Sequence, residues 1–514
     1  MIALQTAPLV PLQIPGGSDL IGLLPELILG GAFVLLMLLD LVTPPTRRGW
    51  LAFVALLGLG AAFGATIFGW FDTAQGRTVY AGSFAYDRFS MFVNDILLIS
   101  AALVVLISPQ YLNRRGIHHG EYYALIIAAT VGMMLLAGAT SLMVIFLGIE
   151  LLSISLYILS GFSRTEERSQ EAAMKYLLLG GFASGFLLFG MALVYGETGH
   201  TQLAQIAAAL HASSNTVDPL LIAGVILVFI GFAFKVSAVP FHAWTPDVYQ
   251  GAPTSVTTFM SVTTKVAAFA ALLRVFEATF PYQYAHWEGI IALVAIVSMV
   301  WGNVAALTQT SVKRMLAYSG IAQAGYIMIG VAVNPMQSSL GIVGSLYYLA
   351  AYAVTNIGAF AVITVMAGRG EDLDSYDGLR GLYYRRPRVA VAMSLFLLSL
   401  GGFPPTAGFF GKFFVFAAAI QNNLTPLALW GIATSVVAAF YYLRVGLLLF
   451  QRPVSEEQQY EWPRTSIAGG TVLAASAVGT LFLGILVAFV LNAATMAQHG
   501  LLPGLITTAT AGTP

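Results

Sequence analysis

The sequence predicts an all-α polytopic membrane protein of about fourteen transmembrane helices, with two inverted five-helix repeats and broken helices 7 and 12. Three observations predict it. Of the 514 residues, 58% are hydrophobic and only 9% charged, at a mean hydropathy of +0.82, whereas a soluble chain carries roughly a quarter charged residues. Apolar stretches long enough to cross a bilayer, about 20 residues each, recur along the chain. Prolines interrupt two of these stretches, each time beside a lysine.

The spans centre on residues 20–41, 50–70, 89–108, 121–138, 141–162, 174–196, 219–240, 253–278, 288–308, 315–333, 340–367, 388–420, 426–450 and 466–492. Residues before the first span lack a basic n-region and are rich in proline, a poor signal peptide, so the first helix is expected to insert uncleaved. Loops after odd-numbered spans hold 16 of the 23 basic residues: Arg47, Arg48, Arg114, Arg115, Arg164, Arg168, Lys175, Lys313, Arg314, Arg369, Arg380, Arg385, Arg386, Arg388, Arg452 and Arg464. The opposite loops hold Arg77 and Arg88. The positive-inside rule therefore places both termini on the non-cytoplasmic side. Arg274 and Arg444, near span ends, are expected to snorkel to the interface.

Lys235, Lys265 and Lys412 remain, three of only five lysines, all in mid-span. A lysine at mid-bilayer costs about 2.5–3.5 kcal/mol on insertion scales. One such residue reads equally well as a structural ion pair. Three, together with Glu150 in "GIELLSISLYILSGF", point to ionisable groups facing protein or water. Lys235 stands five residues before Pro240, and Lys412 eight after Pro404, which Pro405 follows. A mid-helix proline breaks the backbone ladder, and free carbonyls at membrane depth survive only against protein or water. Around Lys265 run Ser255, Thr257, Thr258, Ser261, Thr263 and Thr264. These read either as one wall of a polar channel or as hydroxyls bonded back to their own helix. His242, just after Pro240, reads as a proton relay or a capping group.

The breaks fall in the fourth helix of spans 4–8 and of spans 9–13. Five is an odd number, so the two units have opposite orientations, as in transporters built from inverted repeats. The expected domains are 1–120 (helices 1–3), 121–280 (repeat 1), 281–452 (repeat 2) and 453–514 (helix 14 and tail). Other chemistry finds little support. Cysteine is absent, removing disulfides, thiol nucleophiles and thiolate metal sites. The seven histidines are scattered, with His118–His119 in a basic loop, so no metal site is expected. No glycine-rich dinucleotide fingerprint or FMN-type domain is present, and the 52 glycines read as helix-packing residues. Zero net charge points away from nucleic acid. Burial disfavours a charged lysine and a nearby carboxylate restores it, so Lys412 reads as a switchable proton carrier.

The motifs "GIELLSISLYILSGF", "FKVSAVPFHAWTPDVYQGAPT", "KRMLAYSGIAQAGY" and "GFPPTAGFFGKFFVF" resemble the N subunit (subunit 2) family of proton-translocating NADH:quinone oxidoreductase, respiratory complex I, which is related to Mrp-type antiporters. The similarity runs from about helix 1 to helix 14. It implies that Glu150 is the acid of helix 5 paired with Lys235 of helix 7, Lys265 the central lysine of helix 8, and Lys412 the terminal ionisable group of helix 12. The M-type paralogue typically has glutamate at that last position, and the absence of a long lateral helix after helix 14 argues against the L-type. One departure is Gln323, where some relatives carry histidine, which leaves that relay to Tyr348, Tyr352 or ordered water. The resemblance further implies no cofactor on this chain, with FMN, iron–sulfur clusters and quinone on other subunits. It implies M-type and K-type membrane-arm neighbours, lipid contact, and a bacterial inner membrane or, alternatively, a thylakoid membrane. Two other readings stand beside it: a subunit of a Mrp-type sodium/proton antiporter or membrane-bound hydrogenase, and a passive scaffold whose buried lysines are replaceable.

Overall fold

The computed structural model describes residues 16–73, 76–212, 218–368, 374–452 and 464–501. The N-terminal segment 1–15, Arg369 and the tail beyond residue 501 lie outside the described residues. In chain order the helices are α1 (Gly17–Gly22), α2 (Leu24–Val42), α3 (Gly49–Asp72), α4 (Arg88–Arg115), α5 (Glu121–Gly138), α6 (Leu142–Ser160) and α7 (Glu167–Thr198). There follow α8 (Leu203–Ala212), α9 (Pro219–Val236), α10 (Trp244–Gly251), α11 (Thr254–Thr279), α12 (Tyr284–Leu307), α13 (Val312–Val331) and α14 (Leu340–Met366). The last are α15 (Tyr376–Leu379), α16 (Leu382–Arg385), α17 (Pro387–Gly401), α18 (Ala407–Gln421), α19 (Thr425–Phe450), α20 (Ile467–Ile485) and α21 (Val487–Leu501). One short hairpin, β1 (Arg77–Val79) with β2 (Phe84–Tyr86), joins α3 to α4.

Among the described residues, twelve helices are long and apolar enough to cross a membrane. The sequence-based fourteen adds α13, a 20-residue helix, and the pair α17–α18, whose halves of 15 residues each are too short alone. Both broken helices are present. The seventh span stops at Val236 and resumes at Trp244, and the twelfth stops at Gly401 and resumes at Ala407. The last span also divides, at Leu486 between α20 and α21, where a single helix was expected.

The core is built on α11, buried along its whole length, and on α14, nearly so, which pack against each other. By contrast α2 and α3 keep most of their surface outward, as helices do at the edge of a bundle. Small residues set the closest approaches. A methyl group at Gly132 of α5 would lie 2.6 Å from the Leu152 amide of α6, and one at Gly190 of α7 would lie 2.7 Å from the Gly224 carbonyl of α9. The same device joins α12 to α13, where a methyl group at Gly302 would lie 2.6 Å from the Ala322 amide and one at Gly325 2.8 Å from the Ala295 carbonyl. Such contacts exploit dispersion and backbone proximity, since lipid removes the hydrophobic drive for helices to associate.

Three charged residues lie elsewhere than expected. Lys175 lies inside α7, which starts at Glu167, earlier than the sequence indicated. Lys313 is buried in the first turn of α13, where its ammonium donates to the Gln250 and Ala252 carbonyls at 3.2 and 3.3 Å and so closes the C-terminus of α10. Arg274 does not snorkel. It is buried, donates to both oxygens of Asp87 at 2.9 and 3.1 Å, and reaches the Ala137 carbonyl at 3.1 Å. Asp87 also caps α4 by accepting from the Ser90 amide at 2.7 Å, which fixes the carboxylate that Arg274 finds. Removing one partner of a buried pair leaves the other charge uncompensated, at about 3–5 kcal/mol. Asp87→Ala is therefore expected to lower the thermal unfolding midpoint of the purified protein and its yield on native gels. Asp87→Leu combined with Arg274→Leu should recover part of that loss. A single mutant as stable as the parent would show that the pair is not holding α4 to α11.

Candidate functional site

A broken span frees carbonyls that must be satisfied from within the protein, and at both breaks side chains meet this need. In the first, Ser237 ends α9 at φ +66°, a left-handed conformation that costs a non-glycine residue of order 1–3 kcal/mol. The Ala238 amide bonds back to the Ala233 carbonyl at 2.8 Å. Trp244 Nε1 donates to the Phe234 carbonyl at 3.1 Å, and Ser298 Oγ accepts from the Val239 amide at 2.9 Å. The second break turns at Gly402, φ +85°, where a side chain would also press on the Lys412 stem at 3.1 Å. Here Gln323 Nε2 donates to the Leu400 carbonyl at 3.0 Å and Lys412 Nζ to the Gly401 carbonyl at 3.2 Å. Lys412 thus sits at the C-terminus of α17, the negative end of that half-helix.

The three mid-span lysines are buried, with 2%, 0% and 5% of Lys235, Lys265 and Lys412 exposed. None forms an ion pair with a carboxylate among the described residues. Lys235, in the last turn of α9, donates to Ser153 Oγ at 2.6 Å and lies 5.5–5.6 Å from the ring centres of Phe234, Tyr157 and Tyr176. Glu150, one turn before Ser153 on α6, accepts from Ser184 of α7 at 2.5 Å. The expected Glu150–Lys235 ion pair is absent: Glu150 is bonded by Ser184 and Lys235 bonds to Ser153.

Lys265, midway along α11, donates to Tyr249 Oη at 3.1 Å and to Ser237 Oγ at 3.4 Å. Ser237 also accepts from Thr245 at 2.8 Å, so the strained residue at the first break is a direct partner of the central lysine. Most of the hydroxyls around Lys265 bond back to their own helix. Thr258, Ser261, Thr263 and Thr264 bond back to carbonyls of their own helix. Two of these also link outward to α14: Thr258 shares a 3.2 Å bond with Thr364, and Ser261 accepts from Asn356 through its Oγ at 2.9 Å and from Tyr352 through its carbonyl at 3.2 Å.

Between Lys265 and Lys412 lies a polar cluster on α13, α14 and α19. Gly320 brings the α13 backbone close to Lys265 and Tyr352. The adjacent Ser319 shares a 2.5 Å bond with Tyr442, which accepts from Gln323 Nε2 at 3.2 Å, while Tyr348 donates to Gln323 Oε1 at 2.5 Å. Lys412 then follows one carbonyl beyond Leu400, with its ammonium 4.5 Å from the Tyr326 ring centre. Tyr326 in turn accepts from Asn303 at 2.9 Å, and Asn303 accepts from Tyr441 at 3.0 Å. Phe409, Phe410, Phe413 and Phe414 stack on one another, with Phe413 facing outward, and a tyrosine covers the lysine.

His242 stays apart. Its Nδ1 is buried without a hydrogen-bond partner, and its ring meets Trp301, which is half exposed, edge-on at 6.1 Å. Neither Lys235 nor Lys265 bonds to it. His118 bonds to Asn113 at 2.7 Å and Tyr123 at 2.8 Å; burial, and then the Arg48 guanidinium, push its imidazole below the usual range. Among the described residues no group of three or more acidic, histidine or cysteine side chains could hold a metal ion.

Two further features were not legible in the sequence. Asp247 of α10 binds both Lys175 of α7, at 2.7 Å, and Arg314 of α13, at 2.9 Å, and so ties the helix that resumes after the first break to α7 and α13. Glu277 of α11 is fully buried with neither carboxylate oxygen hydrogen-bonded. Its position near the end of an apolar span hid it. The serine three residues after Glu150 was a legible signal, since residues three apart share a helix face.

Residues 139–438 match the family model described as "NADH:quinone oxidoreductase/Mrp antiporter, TM". The chain is 44% identical over 475 residues to a chain from Trichlorobacter lovleyi called NADH-quinone oxidoreductase subunit N, covering 92% of this chain and 96% of that one. Among solved structures it is similar to a chain of respiratory complex I from Thermus thermophilus with bound aureothin, at a TM-score of 0.75 and 35% identity, covering 91% of this chain and 98% of that one. A chain of the Mrp complex from Dietzia sp. shares the fold at a TM-score of 0.81 and 22% identity, over 96% of this chain and 99% of that one. The chain belongs to the NADH:quinone oxidoreductase/Mrp antiporter membrane family, among the subunits N of NADH-quinone oxidoreductase.

Proposed function

We propose that this chain is the antiporter-like, proton-translocating subunit of an NADH:quinone oxidoreductase and carries out no redox step itself. The observation that carries this reading is the row of three buried lysines, held by neutral oxygens and aromatic faces with no carboxylate bound to any of them. Two of them stand at the helix breaks. A permanent structural cation at this depth is best served by a bound carboxylate. A lysine held only by hydroxyl and carbonyl oxygens keeps its hydrogen-bond partners' geometry whether or not it is protonated.

In this reading Glu150 and Lys235 exchange charge through Ser153 and Ser184. Ser237 and Tyr249 carry the coupling on to Lys265, and the tyrosine–glutamine cluster carries it to Lys412. The residues 121–280 and 281–452 act as two inverted repeats, each with its break in the fourth helix, and both termini lie on the non-cytoplasmic side of a bacterial inner membrane. FMN, iron–sulfur clusters and quinone belong to other subunits, and M-type and K-type subunits flank the chain. The shared fold with the Mrp complex supports a second reading, a subunit of a sodium/proton antiporter. Native mass spectrometry of the intact complex separates the two, because flavin and iron–sulfur subunits accompany the chain only in the first.

Glu150→Gln is expected to lower quinone-coupled turnover and proton pumping together, by about tenfold or more if this carboxylate handles a proton in each cycle. The amide still accepts from Ser184, so assembly should survive. Unchanged rate and unchanged pumping would make Glu150 a structural acceptor.

Lys412→Arg keeps a cation at the end of α17 but removes proton release, since an arginine pKa exceeds about 12. The complex should assemble, by native gel, yet form little ΔpH in proteoliposomes. Lys412→Gln, which is smaller, guards against a steric explanation and should fail in the same assay. Normal pumping by either variant would mean that Lys412 anchors the break and carries no proton.

A further inference from the structure

The end of the bundle that carries most of the arginines contains a partly enclosed groove of about 1140 Å³ between α17 and α20. This exceeds the roughly 300–1,000 Å³ of drug-sized ligand sites. Its mouth holds Arg385, Arg386 and Arg388. Arg114 lies close enough to Arg386 for the two charges to repel, so four arginines gather at one spot. No acidic residue lines the groove among the described residues. Two helices of 15 and 19 residues also begin here, α17 at Pro387 and α20 at Ile467. Their N-termini add partial positive charge. The groove then turns apolar: Ala392 and Leu395 of α17 face Gly470, Leu473, Ala474 and Ala477 of α20. The α20 residues recur at a spacing of three and four, one face of the helix, and four of these six are glycine or alanine, leaving a slot.

A positive mouth above an apolar slot between two spanning helices is the shape of an amphiphile with an anionic head. We propose that this groove is a specific site for an anionic diacyl phospholipid of the surrounding bilayer, with its phosphate at Arg385 and Arg388 and an acyl chain between α17 and α20. The arginines contribute their charge, whatever else they touch. Basic pockets between membrane helices recognise such headgroups in general. The site stands independently of the proton-carrying role of the lysines, which lie deeper in the protein.

The test uses the intact complex in nanodiscs of phosphatidylcholine containing a photoreactive phosphatidylglycerol or, separately, a photoreactive phosphatidylcholine, with crosslinked peptides mapped by mass spectrometry. The phosphatidylglycerol probe should label residues 391–395 and 470–477, and unlabelled phosphatidylglycerol should compete it away while phosphatidylcholine does not. In the double variant Arg385→Gln, Arg388→Gln the preference for the anionic probe should fall by about tenfold or more, and the corresponding double lysine variant should retain most of it. Equal labelling by both probes, or labelling indifferent to the glutamines, would overturn the proposal. So would protein crosslinks showing that a neighbouring subunit or residues 453–463 of this chain fill the groove. If the glutamine variant fails to assemble, competition on the parent complex alone decides the matter.

Discussion

Everything distinctive in this structure follows from one constraint: a chain inside a bilayer has to satisfy its own backbone, and this chain interrupts two of its spanning helices. Each interruption frees carbonyls at a depth where an unmet hydrogen bond costs several kcal/mol. Trp244 meets one at the first break, where Ser298 serves the freed Val239 amide instead, and Gln323 and Lys412 meet two at the second. Structural need and ionisable side chains therefore coincide. A lysine that closes a half-helix end stabilises that end as a cation, and the same end defines where its proton can sit.

The two breaks solve the problem differently. Lys235 precedes its break, in the last turn of α9, and faces away from it toward Ser153 and three aromatic rings. Lys412 follows its break and reaches back to the preceding half-helix. The first turn is made by a strained serine whose hydroxyl serves the central lysine; the second by a glycine that leaves room for Lys412 itself. Strain in a non-glycine residue persists only where its surroundings fix it, and Ser237 is fixed by Thr245 and Lys265. Lys265 thus bonds directly to the first break and is linked to the second through α13.

The fold was legible because membrane helices write themselves in continuous apolar runs. Proline placement gave both breaks, and the scarcity of lysine singled out Lys235, Lys265 and Lys412. Partners were less legible, because pairing in three dimensions depends on helix rotation. Glu150 and Lys235 looked like an ion pair from their identities, yet each takes a different serine as its partner. Arg274 looked like an interfacial arginine because its partner, Asp87, lies 187 residues away in sequence. The hydroxyls around Lys265 looked like a channel because composition does not reveal that a serine or threonine in a helix prefers its own carbonyls. Phenylalanines around Lys412 hid Tyr326, which arrives from another helix.

Gln323 shows how the two halves are joined. Its amide nitrogen donates to the Leu400 carbonyl and to Tyr442, and its oxygen accepts from Tyr348; this orientation follows from the hydrogen bonds, since the donors and the Leu400 acceptor allow only one assignment. An amide so engaged neither gains nor loses a proton. It holds three groups in register: the carbonyl preceding the one Lys412 binds, the tyrosine bonded to Ser319 beside Lys265, and the tyrosine on the heavily buried helix α14. In the proposed function, a change in charge at Lys265 or Lys412 would reach the other lysine through the positions of these dipoles. The link requires no ionisable group of its own at this point, because tyrosine and serine hydroxyls can reverse their donors while the glutamine keeps the spacing.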